Sequence, residues 1–268
     1  MKKVKYRRLN ALAPSLQAWI LCFMLFTHPP SQASEPSPIP ATTRQLVLAL
    51  VPAYPATQGV LYKFQRREFT APWEMIETEV QIVIGRSGLG WGKGLHHNIP
   101  ANCPIKKEGD GRSPAGVFML STAFGFTSLE ELQPLHFPYL QITAALECVD
   151  DNRSQHYNSL ADRQKISEVD WQSSEKMHEI KNAYRLGVFV DHNVAPRAAG
   201  AGSCIFLHVW SGASSPTSGC TAMAATEMEK IVKWLRRDAN PVLVQLPLEE
   251  FTRLRESWQL PLIEEAFK

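Results

Sequence analysis

The chain has 268 residues, 44% of them hydrophobic, enough for one large domain or two small ones. Its formal charge of +2 comes from the start: residues 1–33 carry Lys2, Lys3, Lys5, Arg7 and Arg8 and no acid, which leaves 23 basic against 26 acidic residues, a net −3, beyond them. That balance lacks the electrostatic footprint of a nucleic-acid binder.

The basic start is followed by an apolar run over residues 16–26 and by Ser31-Gln32-Ala33, a small-x-small pattern. This order reads as an export signal ending at Ala33, and the run is short for a permanent membrane anchor. The membrane is then met only through the signal, and the mature protein works outside the cytoplasm, in the periplasm or facing the wall. Residues 34–43 are rich in Pro and Ser and read as a linker without a core, so folded structure is expected over 44–268.

Apolar and β-branched runs predict strands over 45–51, 59–69 and 79–85. Residues 85–94 carry five glycines around Trp91 and Lys93, but they match neither a phosphate-binding loop nor a dinucleotide-binding turn. A mobile loop beside a cleft and a plain connection between strands are equally open. Asp110-Gly111 signals a turn, with Arg112 read as a solvated charge, and a strand follows over 117–120.

From 129 to 185 the texture changes, and the stretch reads as an insertion. Its acidic run, Glu147 to Asn152, lacks the ligand alternation of a calcium loop and is expected to be a solvated or structural turn. Residues 174–185 read as a helix, with Met177, Ile180 and Tyr184 on one face and Gly187 as its stop. Strands return over 186–191 and 203–210. A helix follows with Thr226 and Glu229 at capping-box spacing and Met228, Ile231, Val232 and Leu235 as the buried stripe. A strand over 241–247 and a helix over 249–258 end the chain. The fold class expected is mainly β with accessory helices.

Chemistry concentrates between the last strands. Ile205 to Trp210 delivers His208, and a Ser/Gly/Pro loop then delivers Cys220 behind Gly219. An unassisted thiol is only a few per cent thiolate at neutral pH, so it needs a base, and an imidazole can take its proton and return it. Gly219 permits a sharp turn that could aim the N–H groups of Ser218, Gly219 and Cys220 at an oxyanion. Thr217, Thr221 and His192 are candidate supports; His96 and His97 are adjacent and face opposite ways on a strand. Trp171 and Trp210 read as core residues before groove residues. No metal or cofactor is expected. Beyond the signal four cysteines remain. With Cys220 free, at most one disulfide forms; sequence does not choose the pair, and Cys148 with Cys204 is favoured.

Leu207-His208 followed by Thr217-Ser218-Gly219-Cys220 resembles the signature of L,D-transpeptidase catalytic domains of the YkuD type, a histidine followed by [Ser/Thr]-x-Gly-Cys. Gly90-Trp91-Gly92, Lys107 to Phe118, Ala123-Phe124-Gly125 and Gly202 to His208 resemble it too. Ser218 stands where a second histidine is common, and the Arg and Asn usual after the cysteine are absent. The resemblance implies a β-sandwich or barrel with a helical insertion, acting on peptidoglycan stem peptides. Cys220 would be the nucleophile and His208 the general base and acid, with the thioester passing to an amine. The same thioester passing to water, or a non-catalytic wall-binding module, are the alternatives.

Overall fold

The computed structural model describes residue 1, residues 36–77 and residues 79–263. The expected export signal falls almost wholly outside these residues. The strands run β1 (Gln45–Val51), β2 (Gln58–Gln65), β3 (Glu74–Met75), β4 (Val80–Val83), β5 (Leu89–Trp91), β6 (Ser113–Gly125) and β7 (Tyr139–Gln141). They continue with β8 (Leu146–Val149), β9 (Leu160–Asp162), β10 (Ser174–Lys176), β11 (Leu186–Val190), β12 (Phe206–Val209), β13 (Thr221–Met223) and β14 (Val242–Pro247). Two α-helices, α1 (Ala225–Trp234) and α2 (Leu248–Leu254), lie among the described residues.

The main sheet runs β1-β14-β6-β11-β12-β13-β4-β2, and pairing of β1 with β2 closes that path into a ring. Closure removes the exposed edges that an open sheet must protect. β1 shows why the ring forms: Gln45 to Val51 are buried on both faces, as expected of an apolar strand covered on either side. It pairs in parallel with β14, Leu46 opposite Val242, and antiparallel with β2, Leu46 opposite Phe64. α1 lays Met228, Ile231 and Val232 against the strands, and α2 packs Phe251 and Leu254. Each such side chain contributes about 1.5–3 kcal/mol on burial.

Several expectations are corrected. Residues 36–43 are not a free linker: Ile39 is buried in the main core, and Ser37 Oγ donates to the Trp258 carbonyl at 2.7 Å. The glycine-rich stretch is a connection, with β5 pairing in parallel to β6. Arg112 is not left to solvent, since its Nη1 donates to the carbonyls of Ser87 and Leu89 at 2.8 and 2.9 Å. The helix expected over 174–185, and with it the helical character of the insertion, is replaced by β10, a 3-10 turn over Met177–Ile180, and Lys181 at φ 27°. Thr226 caps nothing: α1 begins one residue before it, with Ala224 at the cap and no side-chain bond there.

The stretch from 129 to 185 adds β7 to β6 and builds a separate sheet in the order β10-β8-β9. Its acidic run is no solvated turn. Glu147 is buried and accepts from Trp171 Nε1 and Ser174 Oγ at 2.7 Å each, with Arg163 and Lys176 as ionic partners. Trp171 is buried beside Val149 and Ala161.

A disulfide joins Cys148 of β8 to Cys204, 56 residues on, and so fastens this small sheet to the segment entering β12. Cys103 and Cys220 are free thiols. Cross-linking a loop of that size removes unfolded-chain entropy equivalent to about 4 kcal/mol in the chain-entropy account. Cys148→Ser should therefore lower the melting temperature by about 10 °C. A circular-dichroism melt checks it; an unchanged midpoint would show that the link constrains little.

Candidate active site

β12 and β13 run in parallel, with Leu207 opposite Thr221 and His208 opposite Ala222. Side chains two apart on a strand share a face, so Cys220, one step before β13, points to the same side as His208. The two line one cavity of about 410 Å³ together with Trp210, Tyr184, Glu175 and Ser218. Cys220 is buried but keeps 8% of its surface open.

The chain reaches Cys220 through a pinned turn. Thr217 N–H donates to the Ile84 carbonyl and Arg86 N–H to the Thr217 carbonyl, both at 2.9 Å. Thr217 Oγ1 donates to the Cys220 carbonyl at 2.6 Å and accepts from Gly219 N–H at 3.1 Å. Ser113 Oγ donates to that same carbonyl at 2.9 Å. Gly219 has φ 154°, and a Cβ there would lie 3.0 Å from the Arg112 carbonyl oxygen, so glycine suits both the backbone and the fit. Ser218 Oγ accepts from Arg86 Nη1 at 3.1 Å. Thr221 turns away from the cavity into the core and donates to Gln245 Oε1 at 2.6 Å, which anchors the start of β13.

His208 Nδ1 lies 2.9 Å from the Val209 carbonyl oxygen. A carbonyl only accepts, so Nδ1 carries the proton and Nε2 is left with its lone pair. Burial pushes the His208 pKa below its ordinary value, which keeps the ring neutral at pH 7. Burial likewise pushes the Cys220 thiol up; the Glu175 charge adds to that, and the Phe206 N–H, 3.3 Å from Sγ, opposes it. The thiol donates to the Cys204 carbonyl at 3.5 Å. The resting pair is thus neutral thiol and neutral imidazole.

His192 is not part of this arrangement. It is fully buried; Nδ1 accepts from Lys93 N–H at 3.2 Å and Nε2 donates to the Ala201 carbonyl at 3.0 Å. A Cβ on Gly92 would lie 2.7 Å from that ring, so His192 serves to hold two loops together. His96 is similarly spent, donating to the Gly92 carbonyl and accepting from Val117 N–H at 3.1 Å each, while His97 is exposed. Burial lowers the pKa of both His96 and His192 to about 4.

Sequence reasoning did not find Glu175 or the placement of Tyr184. Glu175 sits in a three-residue strand with no motif around it, and Tyr184 was read as one face of a helix. The Val209 carbonyl, a backbone group, leaves no sequence signal at all.

The sequence model of the YkuD family, the L,D-transpeptidase catalytic domain, matches residues 57–244, and the chain belongs to that family. The mainly-β barrel-like sheet is consistent with its fold. Membership supports an L,D-transpeptidase-type activity on peptidoglycan and an enzyme of that kind. No curated protein matches the chain.

Proposed function

We propose that the chain is an exported cysteine acyltransferase of peptidoglycan stem peptides, with Cys220 as nucleophile and His208 as base and acid. The observation that carries this reading is the shared cavity lined by both side chains, His208 from β12 and Cys220 from the turn entering β13, with no partner for His208 Nε2 among the described residues. In the first step the thiol turns from the Cys204 carbonyl toward Nε2 and gives up its proton. Sγ attacks the carbonyl that joins an L-centre to a D-residue, the C–S bond forms, and the C–N bond breaks as His208 returns the proton to the leaving amine. An acceptor amine then attacks the thioester and loses a proton to His208; its C–N bond forms, the C–S bond breaks, and the thiol is restored. Because Gly219 N–H is engaged by Thr217, the oxyanion falls to the amides of Ser218 and Cys220 first. Thr217 supports the turn and Thr221 the strand, and His192 supports the fold alone.

Export is supported by the order of basic, apolar and small residues over 1–33 and by the Cys148–Cys204 bond, since disulfides persist in oxidising compartments. On this reading the catalytic domain takes in residues 36–43, which pack on its core, and 129–185 is an insertion that supplies one cavity wall. The test is product analysis on purified muropeptides. Cross-linked dimers are the expected product, trimmed monomers would assign the same thioester to hydrolysis, and unchanged substrate would overturn the enzyme.

A further inference from the structure

Two side chains of the cavity take no part in the steps above. Glu175 is the middle residue of β10, and Tyr184 precedes β11 by two residues. The Tyr184 hydroxyl donates to Glu175 Oε2. Its ring stands edge-on to the His208 imidazole, centroids 5.5 Å apart and planes at 73°, and edge-on to Phe206 at 5.3 Å. Glu175 is also the register partner of Cys148, which is bonded to Cys204, whose carbonyl accepts from the Cys220 thiol. β10 therefore reaches the two reacting groups by separate routes, one through the phenol to His208 and one through the disulfide to Cys220.

A phenol in an apolar cluster can turn its hydroxyl in few directions, and the ring follows the hydroxyl. Tyr184 is buried among Phe124, Phe206 and Met177, so the Glu175 carboxylate sets its direction. We infer that Glu175 is a positioning residue of the Cys220–His208 site, acting through Tyr184, whose ring it holds against the imidazole. The role in turnover rests on the acyl-transfer reading; the link between Glu175 and the thiol does not.

The carboxylate has a second effect because it is a charge. The titratable groups that bear on it are the Tyr184 phenol, Asp150, Glu108 and the Cys220 thiol. Glu108 is engaged by Tyr157 and by Ser203 Oγ at 2.8 Å, and Lys106, the lysine of the cavity wall, is tied to Asp110 at 2.7 Å. Lys176, next to Glu175 in β10, is turned to Glu147. The charged form of Glu175 thus faces no free cation among the described residues, and burial raises its pKa to about 7. The sign follows: as pH rises through about 7 the carboxylate ionises, and its negative charge opposes formation of the Cys220 thiolate.

The experiment uses the full chain with Glu175→Gln, Glu175→Ala and Tyr184→Phe. It reads the rate at which iodoacetamide labels Cys220 as a function of pH, resolved from Cys103 by peptide mass spectrometry, together with kcat and KM on muropeptides. Glu175→Gln removes the charge but keeps an acceptor for the phenol. Its labelling profile should move to lower pH by about one unit. Glu175→Ala should lose tenfold or more in kcat with KM within about twofold, and Glu175→Gln should restore most of that loss. Tyr184→Phe should lower kcat without moving the labelling profile to lower pH. Superimposable labelling profiles for wild type and Glu175→Gln would overturn the charge effect on the thiol, and wild-type kcat in folded Glu175→Ala would overturn the positioning role. If Glu175→Ala does not fold, the Gln and Phe variants decide alone. A shifted labelling profile with no muropeptide turnover in any variant would sink the acyl-transfer reading and leave the coupling of Glu175 to the thiol standing.

Discussion

Cys220→Ala is expected to remove turnover, with a fall in kcat of roughly 10⁴–10⁶-fold, the scale seen when a covalent nucleophile is deleted. The variant should still fold. It loses one sulfur and two weak contacts, to Phe206 N–H and the Cys204 carbonyl, while the turn remains held by Ser113, Thr217 and the Gly219 backbone. A melting temperature within a few degrees of wild type, with no product on muropeptides, is the expected pair of results. Intact-mass analysis after exposure to a carbapenem should show an adduct in wild type and none in the variant. Turnover that survives the substitution would remove Cys220 from the reaction altogether.

His208→Ala carries the second largest effect. General-base assistance is worth about 10²–10⁴-fold, and on the proposed reading it is needed in full, because burial holds the Cys220 thiol protonated at neutral pH and neither described hydrogen-bond partner of Sγ, the Phe206 N–H or the Cys204 carbonyl, is a base. The sign of the pH dependence follows from the histidine. Its pKa lies below the ordinary value of about 6.5 because the ring is buried. The base form is therefore already present at pH 7, and the acid limb of kcat/KM should fall below pH 6.5. In His208→Ala that limb should vanish, and activity should rise only as the pH approaches the thiol's own ionisation. A wild-type acid limb retained in the alanine variant would assign the titration to another group.

β1 was legible to the residue, since the apolar run Leu46 to Val51 is opened by Arg44-Gln45 and closed by Pro52, and the strand bearing His208 was legible within a few residues because Ile205 to Trp210 is apolar apart from that histidine. The turn before Cys220 was legible because Gly219 takes a backbone conformation that side chains rarely adopt, with the Arg112 carbonyl 3.0 Å from where a Cβ would lie. Where reading failed, distant contacts had won over local pattern. Met177, Ile180 and Tyr184 are spaced as a helix face, yet Met177 and Tyr184 meet the apolar cluster around Phe206 from a 3-10 turn and a loop. Glu147 looked solvated only because Trp171, Ser174, Arg163 and Lys176, its partners, come later in the chain. Thr226 and Glu229 have capping-box spacing, but the helix starts at Ala225, which places Thr226 inside it. Ring closure, the hydrogen on Nδ1 and the bond from Tyr184 to Glu175 depend on residues that sequence separates, so no local window contains them.

The crossover between the two parallel strands spans only about a dozen residues, near the shortest such a connection allows, yet its parts are unequal. The bonds that fix Cys220 gather at Thr217 and beyond, whereas residues 211 to 216 lie mostly exposed at the rim and Ser211, Ser215 and Pro216 border the cavity. On the proposed reading, the turn that holds Cys220 and the rim that borders the entrance are thus separable, and lengthening or exchanging residues 211 to 216 should change which acceptors can approach while leaving Cys220 and His208 in place.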